Sequence, residues 1–269
     1  MAGVIKKILG VVLILAMLPL GAAGFELELL KEKKVLLTNG VGLLAITGWG
    51  VANWDYFTNS PTRGDERWFS KNTDHGGVDK LGHFYSTYTL SHILGSTYER
   101  WGYSHERASF LGALSSVTLL GAMEAGDSFS DFGFSHEDFI MNALGGIAGY
   151  YFRVCPGLAR KIDLRVEYRP DFTEPDIFTD YERTRYLVAI KLDGFDAFEN
   201  RYLKFLEIHL GYFTQGYSDN ETNRSRNIYL GVGINIPRIF KHYSLNRISK
   251  IANYVQIPYT SLNLEKNLN

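Results

Sequence analysis

Three pairs of polar residues, each set in an otherwise apolar stretch, hold the chemistry this chain could do. Asp79 and His83 are four apart in DKLGHF, Glu124 and Asp127 three apart in MEAGD, and Asp138 and Asn142 four apart in EDFIMN. Such spacings place each pair on one helix face. A charge among apolar side chains is costly unless it is paired or coordinated, so each pair demands a compensating group. A histidine with carboxylates from separate helices can bind a divalent metal, with His83, Glu124 and Asp138 as ligands. The same groups, with Asp79 and Asp127, can do general acid–base catalysis, while Lys80 and Asn142 hold an anionic or polar part of a substrate. The third reading is structural. In it Asp79 and Asp138 cap helices, Glu124 bonds to His83, and the network fixes helix register.

Three predicted helices must bring these pairs together. Helix A runs from about Asp79 to Arg100, helix B from about His105 to Ala125, and helix C from Ser135 through about Phe152. Gly102 suits the position after a helix, and Ser104 suits the cap of the next. Ser135 with Asp138 three residues on resembles a capping box. A short A–B connection makes those helices antiparallel, and the glycine- and serine-containing loop 126–134 returns the start of C to the same end. The three pairs are therefore expected to converge. At about 1.5 Å per residue, A and B are on the order of 30 Å long, enough to cross an apolar layer.

Upstream, Lys6 and Lys7 precede ILGVVLILAMLPLGAAG, the layout of a secretory signal peptide over residues 1–23. An uncleaved N-terminal anchor is the alternative. No cysteine lies near the cleavage point, which excludes lipid attachment there. After an amphipathic piece, Phe25 to Lys34, the stretch VLLTNGVGLLAITGWGVANW combines small residues suited to close helix contact with Trp49 and Trp54 at one end. Residues 58–77 read as a polar loop.

The remaining properties exclude several classes. A net charge of −1 lacks the basic surface that a nucleic-acid partner requires. The single cysteine, Cys155, rules out an internal disulfide framework and is expected to be a buried small hydrophobe. Nucleophile motifs such as G-x-S-x-G and H-E-x-x-H are absent. Asp127, Asp131 and Gly133 only loosely suggest a calcium loop, and of the other histidines only His136 could join the site. A mean hydropathy of −0.11 is low for a fully membrane-embedded chain.

After Pro156 the period changes to two. Leu164, Val166 and Tyr168 alternate with Asp163, Arg165 and Glu167; Leu206 to Tyr212 and Ile228 to Ile236 alternate likewise, with Tyr186 to Leu192 a fourth, less clean strand. The clean runs have the length of outer-membrane strands, but four or five are too few to close a barrel. An antiparallel sheet with its apolar face on helices or lipid is expected, followed by a tail with an amphipathic helix around Ile248, Ile251, Ala252 and Val255.

DKLGHFYSTYTLS, the glutamate of GAMEAGDSFSDFGFS, and HEDFIMNALGG resemble the YfiM-like predicted periplasmic lipoproteins over roughly residues 36–155. More distantly they resemble VanZ-like membrane proteins, with a D-K-x-x-H-F start and a later D-x-x-x-N-x-x-G. The matched positions are Asp79, Lys80, His83, Glu124, Asp127, Asp138 and Asn142. The resemblance implies an envelope location and a shared polar core, and no particular reaction. The chain departs from it in lacking the lipidation cysteine and in carrying the β-rich second half.

The expectation is an α+β protein: signal peptide or anchor (1–23), membrane-associated helical bundle (24–157), antiparallel β region (158–240) and amphipathic tail (241–269). It would sit in the cell envelope, at the outer membrane or the periplasmic face of a membrane, with the inner membrane as the alternative. Membrane lipid is the expected partner and nucleic acid is not. A lipid or cell-wall precursor is the expected substrate class; a non-catalytic scaffold of the outer membrane is the alternative.

Overall fold

The computed structural model describes residues 30–169, 180–198, 200–217 and 223–269. The signal-peptide or anchor segment 1–23 and the turn Ser218-Asp219-Asn220 lie outside them. The fold is α+β, helical first and then a six-stranded sheet. It divides into two units. One holds Ser86–Tyr150 with the described residues up to Asp65; the other holds Glu66–Tyr85 and Tyr151–Asn269. Each is taken by itself.

The helical unit is built from α1 (Lys31–Asn53), most of α2 (Val78–Arg100), α3 (His105–Asp127) and most of α4 (His136–Val154). The expected helix ends hold. Gly102 has φ +90°, a left-handed conformation that glycine adopts without strain, and the Ser104 side chain accepts a bond from Arg107 N–H at the start of α3. Ser135 Oγ accepts from Asp138 N–H at 3.2 Å, so Ser135 caps α4 and Asp138 does not. The core gathers Ile46, Leu94, Tyr98, Ala108 and Leu119.

Small residues let these helices approach closely, as packing in lipid also requires. A Cβ on Gly112 of α3 would lie 2.5 Å from the Gly95 nitrogen of α2, and one on Gly149 of α4 would meet Ser91 Oγ at 1.7 Å. Asn39 of α1 donates to Ser115 Oγ of α3 at 2.9 Å, and Tyr98 OH donates to the same oxygen at 3.0 Å. Of the helices, α1 and α3 are long and apolar enough to cross a membrane, with best-window mean hydropathies of 1.6 and 1.3. Leu36 and Leu44 of α1 are 72% and 76% exposed.

The second unit carries the sheet: β1 (Ile162–Tyr168), β2 (Thr184–Lys191), β3 (Leu206–Gln215), β4 (Ser225–Ile234), β5 (Val255–Gln256) and β6 (Ser261–Asn267), in the order β5-β1-β2-β3-β4-β6. All neighbours are antiparallel except β5, which is parallel to β1. The helix α5 (Pro156–Lys161) precedes β1, and α6 (Ile236–His242) and α7 (Asn246–Ala252) follow β4. The tail contains a helix over Ile248, Ile251 and Ala252, α7, but Val255 lies past its end in strand β5, and the polar end forms strand β6.

The sense of the alternation is inverted relative to a soluble sheet. In β1 it is Asp163, Arg165 and Glu167 that are buried, and in β3 Glu207 and His209. The sheet curls around these charges: Arg185 of β2 donates to Glu265 of β6, three strands away, at 2.6 Å. Inside, Arg165 donates to Glu207 at 2.6 and 3.0 Å, to Asp163 at 2.7 Å and to Gln256 at 2.7 Å. Lys191 closes on Asp163 at 2.6 Å and His209 on Glu207 at 2.7 Å. Burial alone would raise the Glu207 carboxyl, but the His209 hydrogen bond and the Arg165 guanidinium outweigh it and hold it below the usual range. Cys155 is exposed, not buried as expected. It sits at the junction where α4 ends and Pro156 opens α5, outside any packed helix face.

Candidate functional site

In the helical unit, α3 and α4 contribute two buried carboxylates. Glu124 is 2% exposed and Asp138 4%, and their oxygens approach within 4.8 Å of one another. Asn142, one turn after Asp138, is fully buried. Its Oδ1 accepts from Thr87 Oγ1 of α2 at 2.8 Å, and its Nδ2 donates to Glu124 Oε1 at 3.4 Å. Thr87, Asn142 and Glu124 thus form a chain across α2, α4 and α3. Glycine contacts hold the elements: a Cβ on Gly146 of α4 would meet Val117 Cγ2 of α3 at 2.3 Å.

Asp127 is used differently. Burial, then the charge and hydrogen bond of Asp127, push the Tyr56 phenol up, so Tyr56 stays a neutral donor. The Tyr56 hydroxyl donates to the Met123 carbonyl at 2.9 Å, and its ring fills the space beside Gly50 and Gly126. Asp127 belongs to this lock at the end of α3. His136 lies 3.0 Å from Glu137 and 3.1 Å from Arg63, in a partly exposed cluster of its own.

In the other unit, the first turns of α2 carry Asp79, Lys80 and His83. Lys80 is 1% exposed and is paired with Asp79 at 2.8 Å and with Glu66. Oxygens of Glu66 and Asp79 come within 4.8 Å of each other around that ammonium group. The loop before α2 is tied to the sheet: Tyr217 OH donates to Lys71 O at 3.2 Å, and Tyr212 OH to Gly76 O. Tyr85 OH donates to Tyr254 O at 2.6 Å. Each unit thus gathers its own share of the expected residues: Glu124, Asp127, Asp138 and Asn142 in one, Asp79, Lys80 and His83 in the other.

Sequence reasoning missed Glu66, Thr87 and the charged sheet interior. Glu66 lies in a polar loop and Thr87 is one hydroxyl among several in helix A, so neither stands out by type. The alternating charges of β1 are visible in the sequence, but alternation alone does not tell an outer face from an enclosed interior.

Residues 65–154 match a family model described as "Predicted periplasmic lipoprotein (DUF2279)". The match spans about a third of the chain and includes every candidate residue above. It supports an exported protein of the cell envelope. No curated protein and no solved structure matches the chain.

Proposed function

We propose that the chain is a membrane-associated envelope protein in which His83, Glu124 and Asp138 hold a divalent cation and act on a lipid or cell-wall precursor. One observation carries this: the Glu124 and Asp138 carboxylates are buried yet within 4.8 Å of each other. Repulsion between two such groups in a low dielectric is relieved by a proton or a cation. Helix α2 supports adding His83, because it runs unbroken from Val78 to Arg100. His83 precedes Thr87 by one turn on the same face, and Thr87 bonds to Asn142, which reaches Glu124. One imidazole and two carboxylates suit a hard or borderline divalent metal, which would polarise an oxygen of the substrate.

The chain's own residues then have distinct tasks. His83 ligates or takes a proton, Asn142 orients Glu124, and Lys80, held by Asp79 and Glu66, meets an anionic group of the substrate. Helices α1 and α3 would anchor the chain in the outer membrane or at the periplasmic face of a membrane, the inner membrane being the alternative. The narrower likeness to YfiM-like and VanZ-like proteins is part of this reading.

The test is metal content and thermal stability of the detergent-purified protein beside Glu124→Gln, Asp138→Asn and His83→Ala. Stoichiometric metal in the parent, lost in folded variants, supports the site; a chelator should then lower the melting temperature of the parent alone. The second reading is a scaffold whose polar chain only locks the helices, favoured by the Thr87–Asn142–Glu124 bonds. It prevails if the parent carries no metal, ignores added Mg²⁺, Mn²⁺ and Zn²⁺, and is destabilised by all three substitutions.

A further inference from the structure

The sheet turns its apolar side outward. Leu210, Leu230 and Leu264 stand in one cross-strand row of β3, β4 and β6, and Ile208, Val232 and Leu262 in the next. They are 53%, 55%, 81%, 37%, 52% and 85% exposed. The same strands send Glu207, His209 and Asn227 inward, each under a tenth exposed. A sheet with one free face in water normally does the opposite, whereas apolar-out and polar-in is the pattern of strands against lipid. An apolar surface this continuous marks an interaction site.

Charge says which partner. From Thr222 to Leu264 there is no Asp or Glu, while Arg224, Arg226, Arg238, Lys241, Arg247 and Lys250 fall in the same stretch. Arg224 and Arg226 are turned onto the Thr73 and Phe69 carbonyls, and Arg238 pairs with Asp193 at 2.8 Å. Lys241, Arg247 and Lys250 are exposed on α6 and α7 and, among the described residues, meet no carboxylate. Beside them Tyr243, Ile248 and Ile251 are 70%, 48% and 61% exposed. Helix α6 follows directly from the end of β4, and Ser249 of α7 is bonded to Pro237 of α6 at 2.8 Å, so this basic, apolar pair continues the rim of the sheet.

We infer that the β3–β4–β6 flank and the α6–α7 rim together rest on a bilayer containing anionic phospholipid. Acyl chains meet the two apolar rows, Tyr243, Ile248 and Ile251 sit at the interface, and headgroup phosphates meet Lys241, Arg247 and Lys250. This is independent of any metal at His83, Glu124 and Asp138. Each basic residue at an anionic surface strengthens binding about fivefold, so the three together contribute on the order of a hundredfold.

The experiment uses the full chain with Cys155→Ser and Leu264→Cys, labelled with an environment-sensitive fluorophore, in vesicles of phosphatidylcholine alone or mixed with phosphatidylglycerol. The expected result is blue-shifted emission, quenched by spin-labelled acyl chains, in the mixed vesicles. Changing Lys241, Arg247 and Lys250 together to Gln should return it toward the phosphatidylcholine level. Leu210→Cys serves as a second position should the first disturb β6, and circular dichroism verifies folding of each variant. Water-like emission in both vesicles overturns the inference. So does lipid quenching that ignores both phosphatidylglycerol and the basic residues. Shielding from lipid-borne and aqueous quenchers alike also overturns it, by showing a protein on this face.

Discussion

Replacing Arg165 by Met would test whether the charged interior of the sheet holds the second unit together. The substitution keeps length and apolar stem but deletes four bonds: two to Glu207, one to Asp163 and one to Gln256, all between 2.6 and 3.0 Å. Removing one partner of a buried ionic cluster typically costs about 3–5 kcal/mol, because the opposite charge stays buried. Here Lys191 remains 2.6 Å from Asp163 and His209 2.7 Å from Glu207, so neither carboxylate is stranded. The lower end applies, about 3 kcal/mol. At roughly 2–4 °C per kcal/mol for a unit of this class, the melting temperature should fall by on the order of 10 °C. The assay is thermal and urea unfolding followed by circular dichroism in mild detergent. Arg160→Met is the internal control: its partner Asp196 is 3.1 Å away but the pair is 51% and 88% exposed, so solvent screens it and the substitution should leave the melting temperature essentially unchanged. Adding Glu207→Leu to Arg165→Met should cost less than the two changes summed. If Arg165→Met were no worse than Arg160→Met, the sheet would not depend on its charged interior, and the argument from inverted alternation would fail.

Acid should act through the same cluster. A carboxyl held below its ordinary range stabilises the fold at pH values above the unfolded value of about 4.3 and loses that contribution as pH falls through the folded value. The melting temperature should therefore drop on acidification in the parent, and Glu207→Gln should start lower at neutral pH and show a shallower drop. Gly112→Ala would put a Cβ 2.5 Å from the Gly95 nitrogen and 2.7 Å from the Ser91 carbonyl, backbone atoms that cannot swing aside. It should cost about 1–3 kcal/mol or more, while Gly48→Ala, with nothing within 4 Å, should be neutral or stabilising in the same melts. Cys155, being exposed, should react with a maleimide in the folded protein, and Cys155→Ser should change stability by no more than about 0.5 kcal/mol.

Much of the helical half was legible because its signals are local. Ser104, Gly102 and Ser135 mark helix ends through bonds to their own backbone, and spacing alone puts Asp138 and Asn142 on one face. Glu124 with Asn142 across α3 and α4 follows from a hairpin of helices with a short return loop. The strands were equally clear in period, but period two says only that there are two faces. Which face is enclosed depends on curvature, and curvature is set by cross-strand partners such as Arg185 and Glu265, far apart in the chain. Strand β6 was hidden for a related reason: Leu262 and Leu264 alternate with Asn263 and Glu265 over a stretch too short and too polar to distinguish from a tail. The exposure of Cys155 is not legible, because an apolar helix before it says nothing of a junction where the helix ends at Val154.

The curled sheet also sets an order in time. Val166 and Glu167 of β1 pair with Val255 and Gln256, almost ninety positions later, and the turn 257–260 then carries the chain across to β6 on the opposite edge. A chain that emerges from its N-terminus can form β1 to β4 as consecutive hairpins, but Arg165 receives Gln256 only after β5 has followed them. Until then β1 and β4 are open edges flanking a cluster of half-matched charges, a state prone to pairing with other chains. Closure of this sheet is thus an event of high contact order that waits for β5 and β6, and the open edges would depend most on protective binding until those two strands have formed.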